Sequence, residues 1–67
     1  MIIEYRGATE INGPLLVLQN IPGVSNEEMV ELRLENGGTR QGRIVQMDGE
    51  HVVIQVFQGT SGISLDN

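Results

Sequence analysis

The feature that most constrains this chain is its period. Val30, Leu32 and Leu34 alternate with Glu31, Arg33 and Glu35, and a second run, His51 to Phe57, sets Val52, Ile54 and Val56 on one face and Val53, Gln55 and Phe57 on the other. A repeat of two places alternate side chains on opposite sides of an extended backbone, which makes both runs half-buried strands. Between them lies Thr39 to Met47, apolar at Ile44, Val45 and Met47, with Gly42 inside it. A glycine there predicts a bend or bulge. Asn36-Gly37-Gly38 and Asp48-Gly49 separate the runs, and these residue types accept the positive φ of tight hairpin turns. Residues 30–57 therefore read as a three-stranded antiparallel meander.

The first third is less regular. Ile3 and Tyr5 alternate with Glu4 and Arg6, which predicts a strand, and Ile11-Asn12-Gly13-Pro14 is a corner. Leu15 to Leu18 is apolar on both faces, as suits a strand covered on both sides or one at a subunit contact. Asn20-Ile21-Pro22-Gly23 ends it. Ser25-Asn26-Glu27-Glu28 has the spacing of a helix cap but leads into an alternating strand, so at most one helical turn is expected. Ile63-Ser64-Leu65 reads as the start of a further strand. Five to six short strands with glycine-rich corners predict an all-β fold, a small closed or nearly closed barrel. Gly13-Pro14-Leu15-Leu16-Val17 and Gly42-Arg43-Ile44-Val45-Gln46 are weakly alike. This fits a pseudo-two-fold barrel, or the plain alternation of glycine turns and strands in any small β protein.

A chain of 67 residues holds one domain at most, residues 1–67. Its apolar burial only about offsets an ordering cost of roughly 1.5 kcal/mol per residue. Domains of this size lean on a disulfide, a metal or a partner. The chain has no cysteine and one histidine, His51, so neither a disulfide nor a zinc site is expected. A partner or an unusually good core remains. Nine acids against four bases give a net charge of −5. The bases are Arg6, Arg33, Arg40 and Arg43, with no lysine. That balance disfavours nucleic acid and excludes a polybasic membrane anchor. The longest apolar run, Leu15 to Leu18, is far short of a membrane span. Met1 to Arg6 lacks the charged and apolar regions of a signal peptide, so the expected compartment is the cytoplasm.

No constellation of side chains announces chemistry. Gly59-Thr60-Ser61-Gly62 is the most phosphate-like segment, yet a nucleotide P-loop needs a lysine and a following helix, and a barrel corner is the better reading. Glu27 and Glu28 sit in a polar loop without the burial that would split their acidities. Glu31, Arg33 and Glu35 are expected to pair across to Arg40 or Arg43 on the next strand. His51 stands beside a turn, and Ser25, Ser61 and Ser64 lack a nucleophile's flanking pattern. Tyr5 and Phe57 are too few aromatics for a base-stacking surface. No catalytic residue, cofactor or metal is expected.

Three segments are similar to one family. Ile3-Glu4-Tyr5-Arg6, Asn12-Gly13-Pro14-Leu15 and above all Val53-Ile54-Gln55-Val56-Phe57-Gln58-Gly59-Thr60-Ser61-Gly62-Ile63 resemble the N-terminal barrel of the B subunit of archaeal and vacuolar (A/V-type) rotary ATPases. Leu34-Glu35-Asn36-Gly37 and Arg40-Gln41-Gly42-Arg43-Ile44 fit as well. The resemblance implies a six-stranded Greek-key barrel whose place is structural. Barrels of the A and B subunits alternate in a crown that holds the hexamer together away from the membrane. Nucleotide binds in a later domain, and B is the regulatory, non-catalytic partner of a proton- or sodium-translocating enzyme. It marks Gly59, Thr60, Ser61 and Gly62 as a signature loop, and Leu15, Leu16, Val17 and Leu18 are the expected subunit contact. The chain stops at Leu65-Asp66-Asn67, ahead of the family's last barrel strand. An isolated copy is therefore expected to cover its open edge by homo-dimerising, without nucleic acid or direct membrane contact. The absence of lysine and the early stop also fit an engineered stand-alone mini-barrel built on this domain for folding or self-assembly, with no activity of its own.

Overall fold

A computed structural model describes residues 1–65. Six strands form one sheet: β1 (Ile2–Glu4), β2 (Glu10–Asn12), β3 (Leu15–Gln19), β4 (Met29–Arg33), β5 (Thr39–Met47) and β6 (His51–Val56). Among the described residues the order is β1-β4-β5-β6-β3-β2, and the sheet does not close, because β1 and β2 are not paired with each other. The meander is β4, β5 and β6. Strand β3 lies antiparallel on the far side of β6, with Leu16 opposite Ile54. Residues 20–28 carry the chain back from β3 to β4, which makes β3 to β6 a Greek key. β1 joins β4 in parallel, Ile3 opposite Leu32.

The alternation does what the period requires. Ile3, Leu16, Leu18, Val30, Leu32, Ile44, Val52, Ile54 and Val56 point into the curl of the sheet and are buried. Tyr5, Val24 and Ile63 close the ends of this core. The Tyr5 hydroxyl donates to the carbonyl of Ser64, so the one buried phenol has its partner and anchors the last described turn. Ser61 and Gly62 form a turn and Leu65 a bend, and Ile63-Ser64-Leu65 holds no assigned strand, although Leu65 O accepts from Ala8 N–H at 2.8 Å beside the continuation of β1. Asp66 and Asn67 lie outside the described residues.

The corners use three different devices. Gly13 takes φ +59 at the first central position of a two-residue loop, since Asn12 pairs with Leu15; this is glycine's place in a type II′ hairpin. In the β4–β5 loop Gly37 takes φ +90, Leu34 N–H donates to Gly38 O at 2.8 Å, and Asn36 Oδ1 accepts from Gly38 N–H. The Asp48-Gly49 turn corrects the expectation of positive φ. Gly49 does not adopt it, and the turn is held instead by the Asp48 carboxylate, which accepts from the N–H groups of Glu50 and His51 at 2.6 and 2.7 Å.

Gly42 is a second correction. The irregularity in β5 falls at Val45, between the Ile44–Ile54 and Gln46–Val53 pairs. Gly42 itself is regular and is glycine for space, because an added Cβ would stand 2.7 Å from the Gln55 carbonyl oxygen and 2.8 Å from Ile54 Cγ2. Gly13 and Gly42 thus serve different purposes, one in a turn and one inside a strand, and the weak internal likeness reduces to a glycine ahead of apolar residues. No helical turn forms at Ser25. Glu28 Oε1 accepts from Ser25 N–H at 2.9 Å as in a capping box, but Glu27 and Glu28 then oppose the single residue Ile44 as a bulge, with Glu27 at φ +66.

Candidate assembly surface

With the inner face filled by core, any function rests on the outer face, the outermost strands β1 and β2 and the corners. Strand pairing sets the outer residues in rows. Ile2, Glu31 and Gln41 are neighbours, and beside them run Met29, Arg43, Gln55 and Leu15. Glu31 accepts from Arg33 Nε and from Gln41 Nε2, both at 3.3 Å. The Arg33–Glu31 ion pair is exposed, and such pairs contribute about 0–1 kcal/mol. The expected cross-strand pairs to Arg40 or Arg43 do not form among the described residues. The register sets Gln41 opposite Glu31, Leu32 opposite Arg40 and Met29 opposite Arg43. Arg43 instead lies 5.9 Å from the Phe57 ring centroid, a cation–π contact worth about 0.5–1 kcal/mol at an exposed site. Met1, Ile2, Met29 and Phe57 are exposed apolar side chains on this side of the sheet.

β3 divides the four residues expected at a contact. Leu16 and Leu18 are 0% and 5% exposed and belong to the core. Leu15 and Val17 are half-buried on the outer face. Only these two of the four remain available to a neighbour.

The loop Gly59-Thr60-Ser61-Gly62 is a pinned corner. Gly59 and Gly62 take φ +78 and +85. Gly59 N–H donates to Val56 O and Ile63 N–H to Thr60 O. Thr60 Oγ1 donates to Gly13 O at 2.5 Å, and Arg40 Nη2 donates to Ser61 O at 3.2 Å. The Gly59 and Ile63 amides are thus bonded within the corner, and Arg40, the cation at the loop, is held by the Ser61 carbonyl.

The remaining candidates are scattered. Glu27 lies exposed and Glu28 half-buried on the bulge. His51 begins β6 opposite Gln19. Asp48 has its acidity strengthened below the usual carboxylate value of 3.8, first by the N–H of Glu50 and then by that of His51. Among the described residues no cluster of three or more His, Asp or Glu is placed to hold a metal, and no helix is long and apolar enough to cross a membrane.

One concavity is built mainly of apolar groups. A groove of about 320 Å³ follows β1 and its continuation, Ile2 to Gly7, against Leu18, Gln19 and Ile21. Sequence reasoning missed it, because the parallel β1–β4 pairing joins segments 29 residues apart with no turn between them to signal it.

Residues 8–67 match the family described as the ATP synthase alpha/beta family, beta-barrel domain. The chain belongs to that family. V-type ATP synthase beta chain 2 of Clostridium tetani (strain Massachusetts / E88) is 47% identical over 64 residues. That stretch is 96% of this chain and 14% of the relative. The resemblance carried by Ile3 to Arg6, Asn12 to Leu15 and Val53 to Ile63 therefore holds, and so does the all-β architecture it implied. Within this family barrel Gly59 to Gly62 form the corner that ties the end of β6 to the β2–β3 turn.

Proposed function

We propose that this barrel is a structural, assembly-determining domain of the non-catalytic, regulatory B subunit of an A/V-type ATP synthase. In that role it sits in the crown of alternating A and B barrels that holds the hexamer together. It binds no nucleotide, and it is a peripheral, cytoplasmic part of a proton- or sodium-translocating complex. The observation that carries the reading is the 47% identity to a V-type beta chain over 96% of this chain. The bonds that close the Gly59–Gly62 corner, with Arg40 donating to the Ser61 carbonyl, support the absence of a phosphate site. Neighbouring A and B barrels are the partners, and Leu15 and Val17 on the outer face of β3 are the contact this reading selects. Among the described residues β1 and β2 are the outermost strands of the sheet, and edges of this kind favour a homo-dimer in an isolated copy.

The test is to place Leu15→Glu with Val17→Glu in the intact B polypeptide and measure ring assembly by native mass spectrometry. Charges at a buried contact are expected to reduce the hexamer population at least tenfold while the polypeptide stays folded. Unchanged hexamer would remove β3 from the interface.

A further inference from the structure

Three turns of this chain set a side-chain carbonyl carbon beside a glycine: Asn12-Gly13, Asn36-Gly37 and Asp48-Gly49. Such a pair is chemically labile. The glycine nitrogen can attack the neighbouring Cγ, because a residue without a side chain leaves that close approach open. All three pairs are exposed, so water and base reach them alike, and the fold decides which one reacts.

Two of the three are held. In the β4–β5 loop the nucleophile is engaged, with Gly37 N–H donating to Leu34 O at 3.0 Å. The electrophile is fixed as well, since Asn36 Oδ1 accepts from Gly38 N–H at 2.8 Å. In the β5–β6 turn Asp48 carries an ionised carboxylate at neutral pH, a poor electrophile, pinned by the N–H groups of Glu50 and His51 at 2.6 and 2.7 Å. Asn12-Gly13 differs. Among the described residues no backbone carbonyl accepts from Gly13 N–H, and no hydrogen bond holds the Asn12 side chain. This turn is tied through the far end of Gly13, whose carbonyl accepts from Thr60 Oγ1 at 2.5 Å. Three residue pairs join β2 to β3, against five joining β4 to β5. The shorter ladder opens more readily at its end, which frees the Asn12–Gly13 peptide to turn.

We propose that Asn12 is a deamidation site of the folded chain and the first of its turns to react. Gly13 N bonds to Asn12 Cγ, its proton passes to the side-chain nitrogen, and the Cγ–N bond breaks to release ammonia. Water then opens the cyclic imide. Opening at Cγ leaves aspartate at position 12. Opening at the main-chain carbonyl leaves isoaspartate, which routes the backbone through the side chain and lengthens it by one methylene. Either product makes the net charge one unit more negative than −5. The loop closed between Asn12 and Leu15 has only two residues, so an added main-chain atom breaks that pair and carries Gly13 O away from Thr60. Isoaspartate at position 12 thereby loosens the Gly59–Gly62 corner. The inference is independent of the ring reading, because it concerns a covalent change within one chain.

The test follows the folded chain in mildly alkaline buffer by tandem mass spectrometry, with fragmentation that separates aspartate from isoaspartate. Asn12 is expected to lose its amide roughly tenfold faster than Asn36, the factor set by keeping the hydrogen bonds at Asn36-Gly37 closed. In concentrated urea the two rates are expected to converge, since both asparagines precede glycine. On isoelectric focusing, Asn12→Ser is expected to remove the first acidic form that appears with time. The proposal is overturned if Asn36 reacts as fast as Asn12 in the folded chain, if Asn12 stays intact there, or if the first acidic form persists in Asn12→Ser.

Discussion

Gly42→Ala is the sharpest probe of how this sheet is packed, because local preference and packing predict opposite signs. In an open strand, alanine is favoured over glycine by about 0.5–1 kcal/mol. At position 42 the new methyl would stand 2.7 Å from the Gln55 carbonyl oxygen and 2.8 Å from Ile54 Cγ2. One obstacle is backbone and the other is a side chain that is 0% exposed, so neither yields without moving β6. Overpacking of this kind costs about 1–3 kcal/mol, and packing decides the sign. For a domain of about 60–100 residues each kcal/mol moves Tm by about 4–8 °C, so Gly42→Ala should lower Tm by at least about 4 °C. Gly49→Ala is the control. Nothing lies within 4 Å of its added Cβ and its φ is outside the left-handed region. It should gain about 0.4–1 kcal/mol by restricting the unfolded chain. Thermal melts followed by circular dichroism, checked against urea midpoints, measure both. A Gly42→Ala protein as stable as wild type, or a Gly49→Ala protein that falls as far, would refute the close approach of β5 to β6.

Three further outcomes follow from the same geometry. Glu27 occupies the left-handed region at φ +66, which costs a residue with a Cβ about 1–2 kcal/mol; Glu27→Gly should therefore raise stability by about 0.5–1 kcal/mol after glycine's own entropy cost, read as a higher urea midpoint at unchanged slope. Asp48 is more acidic folded than unfolded, so its contribution is present above its usual value of 3.8 and is lost as pH falls through its lower folded value. Asp48→Asn keeps the accepting oxygen without the charge, so its Tm deficit at neutral pH should shrink below pH 3.8, and parallel Tm–pH curves would contradict this. Calorimetric titration with ATP should give no binding heat, and a micromolar dissociation constant would overturn the assignment of Gly59 to Gly62 as a corner.

Period two made β4 and β6 legible, because each strand carries one buried face. Turn residues made the meander legible, since the loops between its strands are short and local. The role of Gly42 was not legible, because a bulge glycine and a close-approach glycine look alike in sequence. Asp48-Gly49 looked like a positive-φ turn because the carboxylate-capped turn that replaces it uses the same residues. The β1–β4 pairing was hidden by its distance in the chain, and with it the groove along β1. At β3 the apolar run was visible, but only the fold divides Leu16 and Leu18, inside, from Leu15 and Val17, outside. The cross-strand charges failed through register, since one residue of offset puts Gln41 rather than an arginine opposite Glu31.

The central claim is that this barrel holds a ring together and does no chemistry. The direct measurement is native mass spectrometry of A/B rings built from three forms of the V-type beta chain: intact, with its barrel deleted, and with its barrel replaced by residues 1–67. The account predicts that deletion abolishes the hexamer, that this chain restores it, and that nucleotide binding by the remaining domains is the same in all three. A hexamer that forms equally well without any barrel would contradict it.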